Sequence, residues 1–208
     1  MKNQSASILL MVSLFWLVVS GCSPSDSGSS SSGTTLTGPI ADLQGKWITS
    51  CYFDGDNYAK ESFEVSGTDI MTYSTYYSDS DSSCSSALFK MDTNNSSASV
   101  GEKVVFADST EGYRISYRAQ KLTYTPVSSE YASLINAVSL CGLNNWEVDT
   151  TTDVLGMNCS GTTMPQKNAT FYNVYNLIGT NLYLGTSKTD VYPTTVSVSY
   201  THLTLPTN

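Results

Sequence analysis

The sequence predicts an all-β fold: a barrel or sandwich of about eight antiparallel strands with one short helix inserted at 129–139. Three observations carry this expectation. Ser and Thr supply 34 and 25 of the 208 residues, while charged residues make up only 13 %. An average globular chain carries roughly 25 %. A surface of hydroxyls suits short strands and turns, whereas a helical bundle needs Glu, Lys, Arg and Ala in quantity. Runs rich in β-branched and aromatic residues recur along the chain, separated by turn signals about every ten residues. A single segment, within 129–139, repeats its apolar residues at helical spacing.

The first strand is expected at 46–53, opened by Leu43-Gln44-Gly45-Lys46-Trp47. Further strands follow at 59–66, 69–77, 87–92, 103–107 and 114–125, with Asp54-Gly55-Asp56-Asn57 and Gly67-Thr68 as turns. In the helical segment Tyr131, Leu134, Ile135 and Val138 fall on one face. Ser128 or Ser129 caps it, Glu130 suits its positive end, and Gly142 lies beyond its last turn. Such a helix packs across a sheet or plugs a barrel end. The last strands are expected at 146–148, 170–178 and 181–185, the final two joined by Gly179-Thr180-Asn181.

Both ends of the chain are expected to lie outside this fold. Residues 1–21 read as a lipoprotein signal peptide. Lys2 precedes an apolar run from Ile8 to Val19, broken only by Ser13 and short for a membrane-spanning helix. Val19-Ser20-Gly21-Cys22 then resembles the bacterial lipobox. That resemblance implies cleavage before Cys22 and acylation of its thiol, so that lipid chains hold the protein on a membrane at about 0.8 kcal/mol per buried CH₂. Ser23 at the next position implies, by resemblance to Gram-negative lipoproteins, sorting to the outer membrane. Residues 22–38 form a Ser/Gly-rich stretch whose one apolar residue after the lipobox is Leu36. It is expected to be a flexible tether, because it cannot bury enough surface to offset ordering entropy. The barrel domain is expected at 39–197. Val198 to Thr207 reads Val-Ser-Tyr-Thr-His-Leu-Thr-Leu-Pro-Thr, which resembles the one-frame translation of a transposase adapter from short-read sequencing libraries. Residues 198–208 are therefore read as an adapter artefact that adds nothing to the fold, although Val196, Val198 and Tyr200 alternate as a strand does. The sole histidine, His202, lies within it.

Of five cysteines, Cys22 is reserved for lipid, leaving Cys51, Cys84, Cys141 and Cys159. An even number in an exported chain implies disulfides. Three pairings are possible, and Cys51–Cys84 with Cys141–Cys159 closes the shortest loops without interleaving. A zinc site is disfavoured: the spacings contain no Cys-x-x-Cys, and no histidine is available outside the adapter-like segment.

The chemistry of catalysis is thin. Without His202 there is no imidazole, which removes Ser-His-Asp and Cys-His nucleophiles and histidine metal ligands. No Ser-x-x-Lys occurs. Glu61 with Glu64 reads as a strand-edge coincidence rather than a glycosidase pair. Asp54-x-Asp56-Asn57 and Asp79-x-Asp81 carry oxygen ligands but lack the rest of a calcium loop, so solvated turns are expected. No enzyme activity, metal or cofactor is expected. The net charge of -8 disfavours nucleic acid, which needs a basic patch.

Aromatics are the remaining signal: Trp47, Trp146 and thirteen tyrosines outside the adapter-like segment. They fill a core or line a cavity. Gly45-Lys46-Trp47 at the opening of the first strand resembles the Gly-x-Trp start of lipocalin-like barrels. The hairpin from Tyr175 to Leu184 resembles their closing strands. This resemblance implies a tryptophan packed across the closed barrel end, and makes Trp47 and Trp146 candidates for a ligand cavity or barrel end. More broadly, Leu43 to Leu184 resembles uncharacterised bacterial lipoproteins, which implies no known activity. Two functions are expected from these features: a lipid-tethered module holding a small apolar ligand or lipid, or an acidic lipoprotein that docks on an envelope protein such as a cationic hydrolase. An empty barrel interior favours the first and a filled one the second.

Overall fold

The computed structural model describes residues 39–106, 109–196 and 198–202. The chain opens with a single helical turn, α1 (Pro39–Asp42), and continues into β1 (Gly45–Ile48), β2 (Tyr52–Phe53), β3 (Tyr58–Ser66), β4 (Asp69–Tyr77), β5 (Ala87–Val105) and β6 (Glu111–Pro126). The helix α2 (Ser129–Ala137) and a 3-10 turn (Leu140–Gly142) follow. Then come β7 (Thr152–Asp153), β8 (Asn158–Cys159), β9 (Thr162–Thr163), β10 (Thr170–Ile178), β11 (Asn181–Leu184) and β12 (Val198–His202).

Eight of these strands close an antiparallel barrel in the order β1-β12-β11-β10-β6-β5-β4-β3, with β3 returning to β1. The all-β expectation holds, with a barrel rather than a sandwich. Alternation decides what points inward. In β3, Ala59, Phe63 and Val65 are buried; in β10, Phe171, Asn173 and Tyr175 are. Registers such as Phe63↔Thr72 and Tyr117↔Phe171 keep those faces together around the wall. Each large side chain withdrawn from water adds about 1.5–3 kcal/mol.

β5 runs for 19 residues because bulges after Asn94, Ser96 and Val100 bend it around the barrel. Hydrophobicity alone splits it at its polar middle, hence the expectation of separate strands at 87–92 and 103–107. The expected strand at 46–53 is interrupted instead: β1 ends at Ile48 and β2 resumes at Tyr52 on the edge of β3. Residues 146–148 form no strand. Trp146 is buried beneath α2, its backbone clamped by the Asn136 side chain at 2.7 and 2.9 Å. The neighbouring strand on β6 is β7.

One barrel end is closed by α1. Leu43 is fully buried there, the Trp47 indole donates to the Leu43 carbonyl at 2.9 Å, and Tyr175 Oη donates to Pro39 O at 3.1 Å. Gln44 fastens the β3–β4 turn through both the carbonyl and amide of Gly67. Gly45 has φ +108°, and a Cβ there would stand 2.8 Å from the His202 ring. The other end carries the long connections. Cys51–Cys84 staples two of them, and Cys141–Cys159 ties the turn after α2 to β8, both pairings as expected. Closed loops of this length contribute about 3 kcal/mol each by restricting the unfolded chain.

β12 is drawn from the adapter-like segment. It pairs with β11 through Leu182↔Tyr200 and with β1 through Trp47↔His202. Tyr200 is buried, and the His202 ring meets Trp47 edge-on at 4.5 Å. The sequence reading expects no role for this segment; here its first five residues complete the wall. Alternation at 198, 200 and 202 is sufficient to fill that slot, whatever the origin of its codons.

Candidate functional site: an acidic, aromatic barrel mouth

The end covered by α2 gathers five aromatic residues, Tyr76, Phe89, Tyr124, Tyr131 and Trp146. Phe89 on β5 stacks on Tyr76 of β4 at 4.5 Å and 8°, and on Tyr131 of α2 at 4.8 Å and 10°. Tyr124 of β6 lies nearly parallel to Phe89 at 5.5 Å, and Trp146 meets Tyr124 edge-on at 6.4 Å. Ser128 caps α2 by accepting the Tyr131 amide, so the helix start fixes the ring that joins this stack. Tyr131 and Ile135 face the barrel, while Val138 is half exposed. Of the helical face expected from the sequence, Tyr131 and Ile135 pack inward and Leu134 lies partly buried beside them, while Val138 does not take part.

Below the stack the inner wall turns polar. Glu61 follows Ala59 and precedes Phe63 on the inward face of β3. One carboxylate oxygen accepts from Ser74 Oγ at 3.0 Å and the other from Tyr200 Oη at 2.6 Å. The Tyr52 phenol lies close to the same carboxylate. Burial, reinforced by the Glu61 charge, raises the Tyr52, Tyr76 and Tyr200 phenols above their ordinary range. Burial pushes Tyr124 up to about 12. These phenols therefore remain protonated donors throughout the physiological range.

Inward-facing Glu61, Thr72, Met91, Thr93 and Tyr124 are only half-buried, although the residues below them at the closed end, such as Val65 and Ile70, are buried. These inner positions keep part of their surface accessible in the middle of the barrel.

Ion pairing leaves this acid alone. Among the described residues the ion pairs are Lys103–Glu111 and Arg114–Glu102, and Glu61 is in neither. Nearby cations point outward: Lys60 Nζ donates to the Cys84 carbonyl, and Lys46 lies over the Tyr73 ring. Glu64 faces outward opposite Lys46. Three positions along a strand place two residues on opposite faces, so Glu61 and Glu64 form no catalytic pair.

The sequence-predicted residues separate as follows. Trp47 lies at the closed end and Trp146 beside the mouth, so they do not share a site. The four cysteines form two disulfides. Cys22 lies outside the described residues. Among the described residues no group of three His, Cys, Asp or Glu could hold a metal ion. A cleft of about 290 Å³ at the closed end is lined by Asp42, Lys103, Glu111 and Tyr175, and its lysine is already paired.

The two acidic turns are built as turns. Asp54 Oδ1 accepts the amides of Asp56 and Asn57. Asp81 accepts the amides of Ser85 and Ser86 and the hydroxyl of Ser83. Those bonds, the Ser86 amide first, hold the Asp81 carboxyl down at about 2. A depressed carboxyl favours the folded loop above its unfolded value of about 4, and that favour is lost as pH falls toward about 2. A carbon-detected NMR titration is expected to place the Asp81 midpoint near 2, and Ser83→Ala to raise it. A midpoint at the ordinary carboxylate value would contradict the turn.

No protein-family model and no curated protein matches this sequence.

No motif in the local sequence sets Glu61 apart from its neighbour Glu64. The available signal was parity: Ala59, Phe63 and Val65 mark the inward face, and Glu61 falls on it.

Proposed function

We propose that this chain is a lipid-anchored, lipocalin-like envelope module that binds a small, largely apolar ligand in the barrel mouth beneath α2. The anchor is Cys22, on the strength of the lipobox, and the membrane is the outer membrane, on the strength of Ser23 after it. The observation that carries the binding reading is the half-buried inner wall around Met91, Thr93 and Tyr124, next to the Phe89 stack. Ligand sites are concave, mostly apolar and furnished with a few polar groups, and this mouth has that composition. The disulfides Cys51–Cys84 and Cys141–Cys159 hold the surrounding loops, so a ligand would meet a preformed site.

Two measurements test the reading. Palmitate labelling in a Gram-negative host is expected for the wild-type chain and lost in Cys22→Ser. Nile red added to the purified chain is expected to gain fluorescence saturably, near one dye per chain, above a detergent blank. A linear, unsaturable response would leave the docking of an envelope protein as the better reading.

A further inference from the structure

The geometry points to Glu61 as the anchor for a cationic ligand head: the ammonium of a small amine whose apolar body lies against the Tyr76–Phe89–Tyr124 stack. This inference rests on the binding reading above and names the class of ligand.

Glu61 stands on the inner wall, half-buried. Among the described residues its side-chain hydrogen-bond donors are the neutral hydroxyls of Ser74 and Tyr200, with the Tyr52 phenol close by. Neutral donors orient a carboxylate without neutralising it, and a partly dehydrated anion gains most from a cation of its own. Lys46 and Lys60 are turned to the outer face. A carboxylate has room for about four hydrogen bonds, so an ammonium can add to the hydroxyls rather than displace them.

The surroundings suit the same guest. Aromatic faces attract a cation through their quadrupole and accept an apolar body by contact. Tyr76 and Tyr124 are positioned beside Phe89 to do both. The net charge of -8 raises the local concentration of cations and repels anions.

Three ligands of one shape test this: 2-phenylethylamine, 2-phenylethanol and 3-phenylpropanoate, titrated calorimetrically into the full chain in detergent, each against a detergent blank. The amine is expected to bind about tenfold or more tightly than the alcohol, with the carboxylate weakest. Added salt should narrow the gap. Glu61→Gln is expected to bring amine and alcohol to equal affinity. Equal affinities in the wild-type chain would overturn the cationic anchor while leaving the apolar site standing. Absence of binding by all three, with no saturable Nile red signal, would overturn both readings. Should Glu61→Gln fail to fold, the salt-dependent preference for amine over alcohol in the wild-type chain decides alone.

Discussion

A chain that stops at Val196 is expected to melt about ten degrees below the full chain. Truncation there removes β12, the strand that joins β11 to β1. Tyr200 leaves a site where it is 4 % exposed, and its hydroxyl abandons Glu61. Loss of a buried aromatic alone costs about 3–5 kcal/mol. In a domain of this size each kcal/mol lowers the midpoint by about 2–4 °C. Leu182 and Trp47, buried beside the strand, would also become exposed to water along two unpaired edges. A replacement that keeps only the alternation, with an aromatic at 200, should restore most of the loss, since the slot selects a pattern. Thermal melting by circular dichroism checks both chains. An unchanged midpoint after truncation would remove β12 from the wall and agree with the sequence-based expectation for 198–208. The origin of those residues is answered separately, by resequencing the locus with a different library chemistry; the adapter reading predicts that the frame diverges at or just before Val198.

Phe89→Ala is expected to cost about 4 kcal/mol, the sum of lost transfer free energy and the cavity left behind. Phe89 is 4 % exposed and stacks on three tyrosines from three different elements. Each such aromatic pair adds about 0.5–1.5 kcal/mol beyond its buried area. Because Tyr131 belongs to α2, the loss should be local as well as global: hydrogen exchange in 129–137 should accelerate more than in β3 or β10. Phe89→Leu keeps most of the volume and should cost about 1.5 kcal/mol. A Phe89→Ala chain that stays within 1 kcal/mol of wild type, with α2 still protected, would show that the stack does not hold the helix.

Much of the barrel was legible in the sequence because its wall is made by local pattern. β4 and β10 coincide with the runs expected at 69–77 and 170–178, where β-branched and aromatic residues are dense and Gly67 and Gly179 mark the turns. The helix and both disulfides were legible for similar reasons: spacing for the first, pairing arithmetic for the second. The misread places are where long-range pairing overrides composition. The polar middle of β5, Thr93 to Ser99, reads as loop but is held between β4 and β6. Trp146 reads as strand but is held by Asn136 and Leu140. The site was the least legible part. Glu61 becomes informative only when Ser74, Tyr52 and Tyr200, remote in sequence, arrive around it, and no local motif encodes that meeting.

If the inner wall beneath α2 is a ligand space, filling it from within should shut the ligand out. Met91→Trp enlarges a half-buried inward side chain beside Tyr124, and Lys90→Trp places the same ring on the exposed outer face one residue away. In an unfilled mouth the added ring finds room, so Met91→Trp should keep or raise the thermal midpoint. It should also weaken saturable Nile red binding about tenfold, roughly 1.4 kcal/mol, while Lys90→Trp binds as wild type. A Met91→Trp chain destabilised by about 1–3 kcal/mol, the usual cost of overpacking, with dye binding intact, would mean that the interior is already full and holds no ligand there.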